Sequence, residues 1–418
     1  MRRGKGLKVP AARAHAYLHC HAQAGGRRAA RQSAGECGGR GGLTCGAVGW
    51  FPFSFPFVFM LARRTFLTGL LLAPLTRALA GFAGRLIDYP KADFATFSRH
   101  LRPVGRVLEL PDYYVWCTSP IYAPDGKVHV FFSRWEASKG MSGWINGSEI
   151  CRAVADRPEG PFAFVETVLA PRGPGHWDAT TCHNPSIQLV DGRYCLFFMG
   201  NANGKTDTKR IGLATAPTLA GPWTRPDQPL LLPGPEGAWD DHCTTNPAFV
   251  KHPNGQYWLY YKSWNTTGYD AAKGQEIRGN RKYGLAVADH LEGPYVEFAG
   301  NPVIDFSKQG NNKQFEDAFV WRQRGKFRML ARDMGVYSQE VGLYLESTDG
   351  KAWTFPKIAF WPLRDYGVQE PPAPPKLKRY GRLERPQLLL RNGRPEYLFC
   401  ASQGGKGMTA SAFVLKIT

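Results

Sequence analysis

Two adjacent carboxylates, Glu316 and Asp317, stand at the start of the segment QFEDAFVWRQRGKFRML, residues 314–330. The segment has the composition of a strand, a turn and a second strand, and the two acids come just before its apolar run. Placing an acid beside apolar residues costs free energy unless the acid has a partner or a task. The pair is therefore the first candidate for acid–base chemistry.

The position of this pair recurs along the chain. Five segments share a polar residue, a proline, an apolar strand, a hairpin turn and a second strand rich in aromatic residues. They are TSPIYAPDGKVHVFFSRW, HNPSIQLVDGRYCLFFMG, TNPAFVKHPNGQYWLYYKSW, EDAFVWRQRGKFRMLARDM and ERPQLLLRNGRPEYLFCAS. Aligned on Pro120, Pro185, Pro247, Ala318 and Pro386, they lie 65, 62, 71 and 68 residues apart.

A second pattern keeps phase with the first: CRAVADRPEGPF, GLATAPTLAGPW and GLAVADHLEGPY, with GLYLESTDGKAW as a degenerate copy. Four strands per unit, repeated five times, predict an all-β fold, a five-bladed β-propeller with four antiparallel strands per blade. Two unrelated β-sandwiches would not explain the shared phase. The last unit has three clear strands, so we expect a strand near residues 106–110 to complete it and close the ring.

The residues just before each aligned position should converge on the central channel. One place before it stand Ser119, Asn184, Asn246, Asp317 and Arg385, and two places before it stand Thr118, His183, Thr245, Glu316 and Glu384. Because side chains alternate along a strand, we expect only one of each pair to face the channel.

Blades two and three share a further pattern, HWDATTCHNPS and WDDHCTTNPA, which pairs Trp177 with Asp178 and Trp239 with Asp240. Indole faces beside carboxylates suit sugar rings, whose apolar faces stack on aromatic groups while their hydroxyls take polar partners. Two carboxylates can hydrolyse a glycosidic bond, one as proton donor with a raised pKa and one as base or nucleophile. An Asp before a strand is also a common Asx-turn residue.

At these residues the chain resembles the five-bladed glycosidase clan, families 43, 32, 68 and 117 of the glycoside hydrolases, and family 43 most, over residues 113–417. The resemblance implies that Glu316 is the catalytic acid, although Ala318 replaces a proline-like residue, and that hydrolysis inverts the anomeric centre. We also expect action at chain ends.

The resemblance places the family's base Asp at the start of blade one, and a further Asp at the start of blade three in some members. The aligned positions here are Ser119 and Asn246, which carry no carboxylate. Three alternatives follow: the base has moved to Asp178, Asp240 or Asp241, another acid such as Glu384 serves, or the protein binds glycans without cleaving them.

The remaining candidates for substrate binding can also have structural roles. Arg385 could hold a substrate hydroxyl or carboxylate, or pair with Glu384 or Asp317. His183 and His242 could contact the sugar or be hydrogen-bonded structural histidines. The full set of predicted substrate-binding residues is Trp177, His183, Asn184, Trp239, His242, Asn246, Asp317, Glu384 and Arg385.

Metal and nucleotide chemistry are poorly indicated. Each Cys–His pair, 182–183 and 242–243, can offer one ligand to the channel, and no HExxH or CxxC accompanies them, so we predict no catalytic metal. A hard cation such as calcium, held by channel oxygens, is the alternative left open, without being a required cofactor. No GxSxG elbow or P-loop is present. A phosphorylase on this fold would need a basic pocket near Glu316.

The net charge of +19 is concentrated in the N-terminal part of the chain. Residues 1–80 hold 12 of the 53 Lys and Arg and one of the 34 acids. Residues 81–418 therefore have 41 basic and 33 acidic residues, a modest excess, and we predict no nucleic-acid partner. Residues 60–80, MLARRTFLTGLLLAPLTRALA, resemble a twin-arginine signal peptide, and residues 1–59 resemble sequence upstream of the true start. We therefore expect residues 81–418 to be the propeller and to be periplasmic or secreted.

The sequence also bears on membrane insertion and on disulfide bonds. No apolar run is long enough to predict insertion into a membrane, and the oligomeric state stays open. Residues 81–418 keep six cysteines, mostly in apolar strands where buried thiols are expected. Cys117 with Cys182 is the pair that we would test for a disulfide.

Overall fold

The computed structural model describes residues 94–275, 278–307, 314–372, 374–375, 377 and 379–418. The predicted upstream segment 1–59, the predicted signal peptide 60–80 and the expected start of the mature chain lie outside these residues.

Within the described residues the chain is almost entirely β. The strands are β1 (Leu101–Leu108), β2 (Tyr113–Tyr122), β3 (Val128–Glu136), β4 (Glu149–Ala155), β5 (Ala163–Leu169), β6 (Thr181–Val190), β7 (Arg193–Asn201), β8 (Arg210–Ala216), β9 (Thr245–Lys251), β10 (Tyr257–Ser263), β11 (Lys282–Ala288), β12 (Val296–Glu297), β13 (Phe315–Gln323), β14 (Lys326–Asp333), β15 (Gly342–Ser347), β16 (Lys357–Phe360), β17 (Glu384–Arg391), β18 (Arg394–Gly404) and β19 (Thr409–Ile417).

The helical elements are short. The α-helix α1 spans Thr266–Ala271, and 3-10 helices span Thr96–His100, Ala137–Lys139, Met141–Ile145, Thr206–Thr208 and Leu363–Tyr366. Among the described helices, none has the length and apolar character needed to cross a membrane.

The strands form five antiparallel blades in chain order. Blade one is β2–β5, blade two β6–β8, blade three β9–β12, and blade four β13–β16. In each blade the first strand is followed by a hairpin, and the third strand returns along the second. Blade two departs from the four-strand prediction, because the described chain contributes only isolated bridges, Ile211 to Leu231 and Thr215 to Thr224, beyond its third strand.

Blade five is built from both ends of the described chain. It contains β17, β18 and β19, and β1 adds the outer strand by pairing antiparallel with β19, from Leu101 opposite Ile417 to Leu108 opposite Ala412. The predicted closing strand is thereby confirmed, although it begins and ends earlier than residues 106–110. Such closure joins the first and last blades through backbone hydrogen bonds.

A hydrophobic core lies between every two neighbouring blades. Representative side chains are Phe131 and Ile187 for blades one and two, Phe197 and Phe249 for two and three, Tyr260 and Val320 for three and four, Phe319 and Leu398 for four and five, and Phe399 and Val115 for five and one. The rings of Phe197 and Phe249 stack with centroids 4.5 Å apart. Because each sheet buries both faces against its neighbours, the five-bladed propeller predicted from the repeat is confirmed.

The expected cysteine pairing is not present. All six cysteines among the described residues are buried and free. Cys117 Sγ lies 3.5 Å from the carbonyl oxygen of Pro185, while Cys182 Sγ lies 3.5 Å from that of Ala170. The suggested disulfide between Cys117 and Cys182 is therefore wrong, and both thiols act as small buried groups.

Candidate active site

The inner strand of every blade carries a bulge at its start. In each bulge one residue has a left-handed backbone: Cys117 (φ 49°), Asn184 (57°), Asn246 (52°), Asp317 (66°) and Arg385 (57°). The register of pairing between the first and second strands shifts at this bulge in all five blades. Left-handed conformations are uncommon outside Gly, Asn and Asp. The blade-one equivalent is thus Cys117, and the alignment through Ser119 was wrong by two residues.

Ser119 has a different role from the one that its aligned position implied. Its hydroxyl accepts from the backbone N–H of Ile187 at 3.0 Å and lies 3.2 Å from Gln387 Oε1. It therefore links blades five, one and two. The residue before the bulge in blade one is Trp116, so neither position of the corrected alignment has a carboxylate.

The bulges change which side chains face the channel. Alternation predicted one of each pair, but in blades two to five both members line the same cavity: His183 with Asn184, Thr245 with Asn246, Glu316 with Asp317, and Glu384 with Arg385. The left-handed residue turns its side chain back toward the axis, which breaks the period of two. The prediction that these strand starts converge is confirmed, and the prediction of one residue per pair is wrong.

The left-handed residues form a hydrogen-bonded arc across the axis, which we name the floor. The Asn184 side chain donates to Asn246 Oδ1 at 3.0 Å, and that of Asn246 donates to Asp317 Oδ1 at 2.7 Å. Arg385 donates to the same Asp317 oxygen at 2.6 Å. Cys117 completes the set beside Arg385. Every member is at least nine-tenths buried, so the floor closes the inner end of the cavity.

The cavity above the floor has a volume of about 160 Å³ and aromatic walls. Its aromatic lining comes from Trp116, Trp144, Trp264 and Tyr269. Trp144 lies in the 3-10 helix Met141–Ile145, and Trp264 follows β10 directly. Flat apolar walls with polar groups at the base are the surroundings that a sugar ring requires.

Glu316 lies at the centre of a cluster of cations. Its carboxylate contacts Lys262 Nζ at 2.5 Å, Arg332 at 3.0 Å and Arg281 at 3.2 Å. Burial raises the pKa of Glu316, but the three cations outweigh burial and hold that pKa well below its usual range. Glu316 is thus ionised at neutral pH, whereas the sequence led us to expect a raised pKa for a proton donor.

Glu384 is the second central acid and is 2% exposed. Its Oε2 lies 2.8 Å from Arg332 and 3.4 Å from Arg379, and its Oε1 lies 3.9 Å from Arg382. Arg332 Nη1 therefore joins Glu384 on blade five to Glu316 on blade four. This bridge fixes the two carboxylates in one corner of the cavity.

The two predicted histidines lie in different places. His183 lines the cavity, and its Nδ1 lies 2.8 Å from the Ser148 hydroxyl. Burial lowers the pKa of His183 well below its ordinary value, so the ring is neutral. His242 lies behind the aromatic wall, stacked on Trp264 and within 3.2 Å of the hydroxyls of Thr206 and Thr266. Burial lowers the pKa of His242 to about 4.

The Trp–Asp pattern of blade two packs the blade and does not reach the cavity. Trp177 stacks on Phe198, with ring centroids 5.4 Å apart, and its ring covers strand glycines such as Gly212. Asp178 is fully buried and contacts Arg172 at 2.7 Å and Arg225 at 2.9 Å. The structure therefore does not bring the predicted stacking Trp and base Asp of this blade to the site.

The corresponding residues of blade three are equally internal. Trp239 packs on Tyr261, and Asp240 accepts from the Tyr261 hydroxyl at 2.7 Å. Asp241 accepts from the backbone N–H groups of Thr266 at 2.6 Å and Gly237 at 2.9 Å. Asp241 therefore has a structural role, and neither Asp lines the cavity in the described chain.

The cations of the cavity were not among the residues predicted for the site. Lys262 pairs with Thr245 at the end of β10, and Arg332 pairs with Glu316 near the end of β14. Lys209 and Arg281 immediately precede the third strands β8 and β11. In an antiparallel blade, the end of the second strand and the start of the third lie beside the start of the first. Charged residues at the ends of the second strands and at the starts of the third strands could therefore have indicated the cations of the site.

The alternative of a calcium ion finds little support among the described residues of the channel. No group of three or more His, Cys, Asp and Glu side chains suitable for a metal occurs in the described part of the chain. The floor offers one carboxylate, Asp317, and the guanidinium of Arg385 already contacts it. Calcium requires six to eight oxygen ligands without a competing cation, so we derive no role for a metal.

The fold is shared with solved glycoside hydrolases. Zg3597, a family 117 glycoside hydrolase of the marine bacterium Zobellia galactanivorans, matches with a TM-score of 0.55 at 17% identity over 76% of this chain and 89% of that one. BT0996, solved as an RGII complex, matches with a TM-score of 0.56 at 14% identity over 78% and 92%. CoXyl43, a family 43 β-xylosidase/α-arabinofuranosidase from a compost metagenome, matches with a TM-score of 0.48 at 16% identity over 76% and 94%.

No family model and no curated protein sequence matches the chain. At these identities the structural matches show the propeller fold alone, as predicted from the repeat and the resemblance. What the cavity does must therefore be argued from its own residues.

Proposed function

We propose that the protein is a glycoside hydrolase that takes the end sugar of a glycan into the axial cavity. The observation that supports this most is the combination of aromatic walls with Glu316, Asp317 and Glu384 at a closed base. Sugar rings stack on indole faces, and two carboxylates supply the chemistry of glycosidic hydrolysis. The fold shared with a family 117 glycoside hydrolase agrees with this assignment.

The floor supports the proposal that the protein acts at chain ends. The arc from Asn184 to Arg385 closes the inner end of the cavity with direct hydrogen bonds. A polysaccharide cannot thread through the floor, and on this proposal a terminal sugar occupies the cavity while the rest of the chain stays outside.

The environment of Glu316 suits an ionised role. Held below its usual pKa by cations, the carboxylate can attack the anomeric carbon or stabilise its developing positive charge. On this proposal Glu384, the neighbouring carboxyl joined to Glu316 through Arg332, takes the second catalytic role. This division of roles replaces the expectation that Glu316 donates the proton.

The test is sugar release by the full-length protein. The parent, Glu316→Gln, Glu384→Gln and the exposed control Glu236→Gln are incubated with aryl glycosides, xylotriose and RGII, and released sugars are measured by chromatography. We expect release by the parent and the control, with a loss of about a hundredfold or more in the two cavity variants. Equal release by all four proteins would place the chemistry elsewhere.

Glycan binding without cleavage is the second candidate. One observation favours it: the start of the blade-one inner strand, Trp116 followed by Cys117, offers no carboxylate. Binding of oligosaccharides without release, measured by calorimetry on the same panel, would support this candidate. A periplasmic or secreted location is proposed on the resemblance of residues 60–80 to an export signal.

A further inference from the structure

The cavity lining carries more positive than negative charge. Among the described residues that line it, the cations are Lys209, Lys262, Arg281, Arg379 and Arg385, and the carboxylates are Glu316, Asp317 and Glu384. Arg332, 2% exposed in its side chain, lies directly behind two of the carboxylates. Uncompensated charge in such a water-poor place is costly, so the excess requires an explanation.

Ion pairing accounts for most of these cations. Lys262, Arg281 and Arg332 contact Glu316, and Arg385 contacts Asp317. Arg379 is 43% exposed in its side chain and lies 3.4 Å from Glu384. None of these contacts involves Lys209.

Among the described residues that line the cavity, Lys209 is the cation without an ion-pair partner. The residue is 4% exposed, and its ammonium has no hydrogen-bond or carboxylate partner among the described residues. Its nearest aromatic neighbours are the ring of Trp264, with the centroid 4.3 Å from Nζ, and that of Trp144, at 5.9 Å. Cation–π contacts recover part of the lost hydration, but they leave the ammonium without a hydrogen-bond acceptor among the described residues.

We propose that the cavity recognises a sugar that carries an oxyanion, a carboxylate or a sulfate ester, and that Lys209 is the residue that binds this group. The proposal rests on the function proposed above, because it assumes that a sugar ring lies between the aromatic walls. An oxyanion at Lys209 would satisfy the ammonium through charge-assisted hydrogen bonds. Lys262, Arg281 and the Glu316 carboxylate that both contact lie near enough to act on the charge of Lys209.

The indole rings beside the Lys209 ammonium indicate that the anion it binds is a substituent of a sugar ring. Trp144 and Trp264 both contact Lys209 and both line the cavity. A sugar ring held in this cavity brings its substituent to the ammonium, whereas a free inorganic anion would use only the charge.

The test is binding measured by calorimetry with the full-length protein. The probes are glucuronate, galacturonate, galactose 6-sulfate, the neutral sugars glucose and galactose, and inorganic phosphate and sulfate. We expect at least one acidic sugar to bind about tenfold or more tightly than its neutral counterpart. The uronate and sulfate probes distinguish the two oxyanions.

Three variants separate the role of Lys209 from general effects. Lys209→Met should lose the preference for acidic sugars, Lys209→Arg should retain most of it, and Lys205→Met, an exposed lysine in the same loop, should leave it unchanged. Near-UV circular dichroism checks that each variant is folded. Equal binding of neutral and acidic sugars, or a preference that survives Lys209→Met, would overturn the proposal, as would inorganic phosphate binding as tightly as the acidic sugars.

The two proposals fail in different ways. Binding of acidic sugars without release of any sugar would refute the hydrolase and keep the oxyanion site. Release from neutral glycans alone would keep the hydrolase and refute the oxyanion site.

Discussion

Glu316 and Glu384, on the first strands of neighbouring blades, contact the same guanidinium nitrogen of Arg332, at 3.0 and 2.8 Å. Two contacts of this length to one atom keep the facing carboxylate oxygens closer than the separation of about 6.5–9.5 Å that an inverting pair requires. The relationship therefore bears on mechanism as well as on the joining of blades four and five.

If these two acids react, hydrolysis should proceed with net retention of the anomeric configuration. Retaining pairs lie about 5–5.5 Å apart because no water has to fit between the nucleophile and the sugar. Proton NMR of the sugar released early from an aryl glycoside gives the anomer directly. An inverted product, as the family resemblance implied, would require another pair, for example one that includes Asp317.

Removing Arg332 should destabilise the fold strongly. Arg332→Met leaves two buried carboxylates without their shared cation, and loss of one partner from a buried ion pair costs about 3–5 kcal/mol. Urea unfolding followed by tryptophan fluorescence measures this difference.

The matched control for Arg332 is the triple variant Arg332→Met, Glu316→Gln, Glu384→Gln. With the charges removed, we expect it to recover most of the lost free energy of unfolding. A triple variant as unstable as Arg332→Met would show that packing of the arginine stem, and not its charge, matters.

Lys209 should make stability rise with pH in the alkaline range. Burial lowers the pKa of Lys209 to about 8, from an unfolded value of 10.5. Between these values the unfolded chain binds more protons, so the free energy of unfolding increases as pH rises, by about 3 kcal/mol at most. The groups that act on it are Cys243, Lys262, Arg281 and Glu316.

Comparison with Lys209→Met isolates this effect. In the absence of sugar, the variant should be more stable than the parent at pH 7, and its advantage should shrink as pH approaches 10. Thermal unfolding of both proteins across this range measures the difference. A gap that does not change with pH would show that the ammonium is well solvated.

A second pH effect is expected far from the cavity. Burial, reinforced by the nearby Asp240 carboxylate, raises the pKa of Glu297 to about 7. The folded state then holds a proton that the unfolded chain releases, so the contribution to stability is lost as pH rises toward and through 7. Glu297→Gln should flatten this dependence between pH 5 and 8, while Glu292→Gln, an exposed acid paired with Arg193, should not.

Asp333 organises the loop after β14. Its two oxygens accept from four backbone N–H groups, of Gly335, Val336, Tyr337 and Ser338, at 2.7–2.8 Å. Asp333→Asn turns an amide N–H₂ toward donors, so we expect a loss of about 2–4 kcal/mol. Asp156→Asn, at a side chain that is 89% exposed, should be neutral in the same denaturation experiment.

Much of the fold could be predicted from the sequence because it repeats. The blades could be predicted from hairpin turns, from alternating strands and from two sequence patterns that repeat with the same period. The last repeat lacks one strand, which predicted that a strand before the first repeat, β1, completes the ring. Blade two lacks a regular fourth strand in the described chain, since its edge is held only by bridges such as Thr215 to Thr224.

The register of blade one could not be predicted from its proline. In blades two, three and five the proline follows the left-handed residue, whereas in blade one Thr118 has that position and Pro120 lies further along β2. Cysteine gives no signal for a left-handed backbone, unlike the Asn and Asp of the next three blades.

The repeat, the hairpins and the strand starts that carry Glu316, Asp317, Glu384 and Arg385 can be predicted from the amino-acid sequence alone. The direction of these side chains and their charge depend on how the blades pack. The bulges turn both neighbours toward the axis, and the blades then bring Lys209, Lys262, Arg281 and Arg332 together from distant strands. A carboxylate's protonation depends on charges within a few ångströms in space, and distance along the chain does not reveal them.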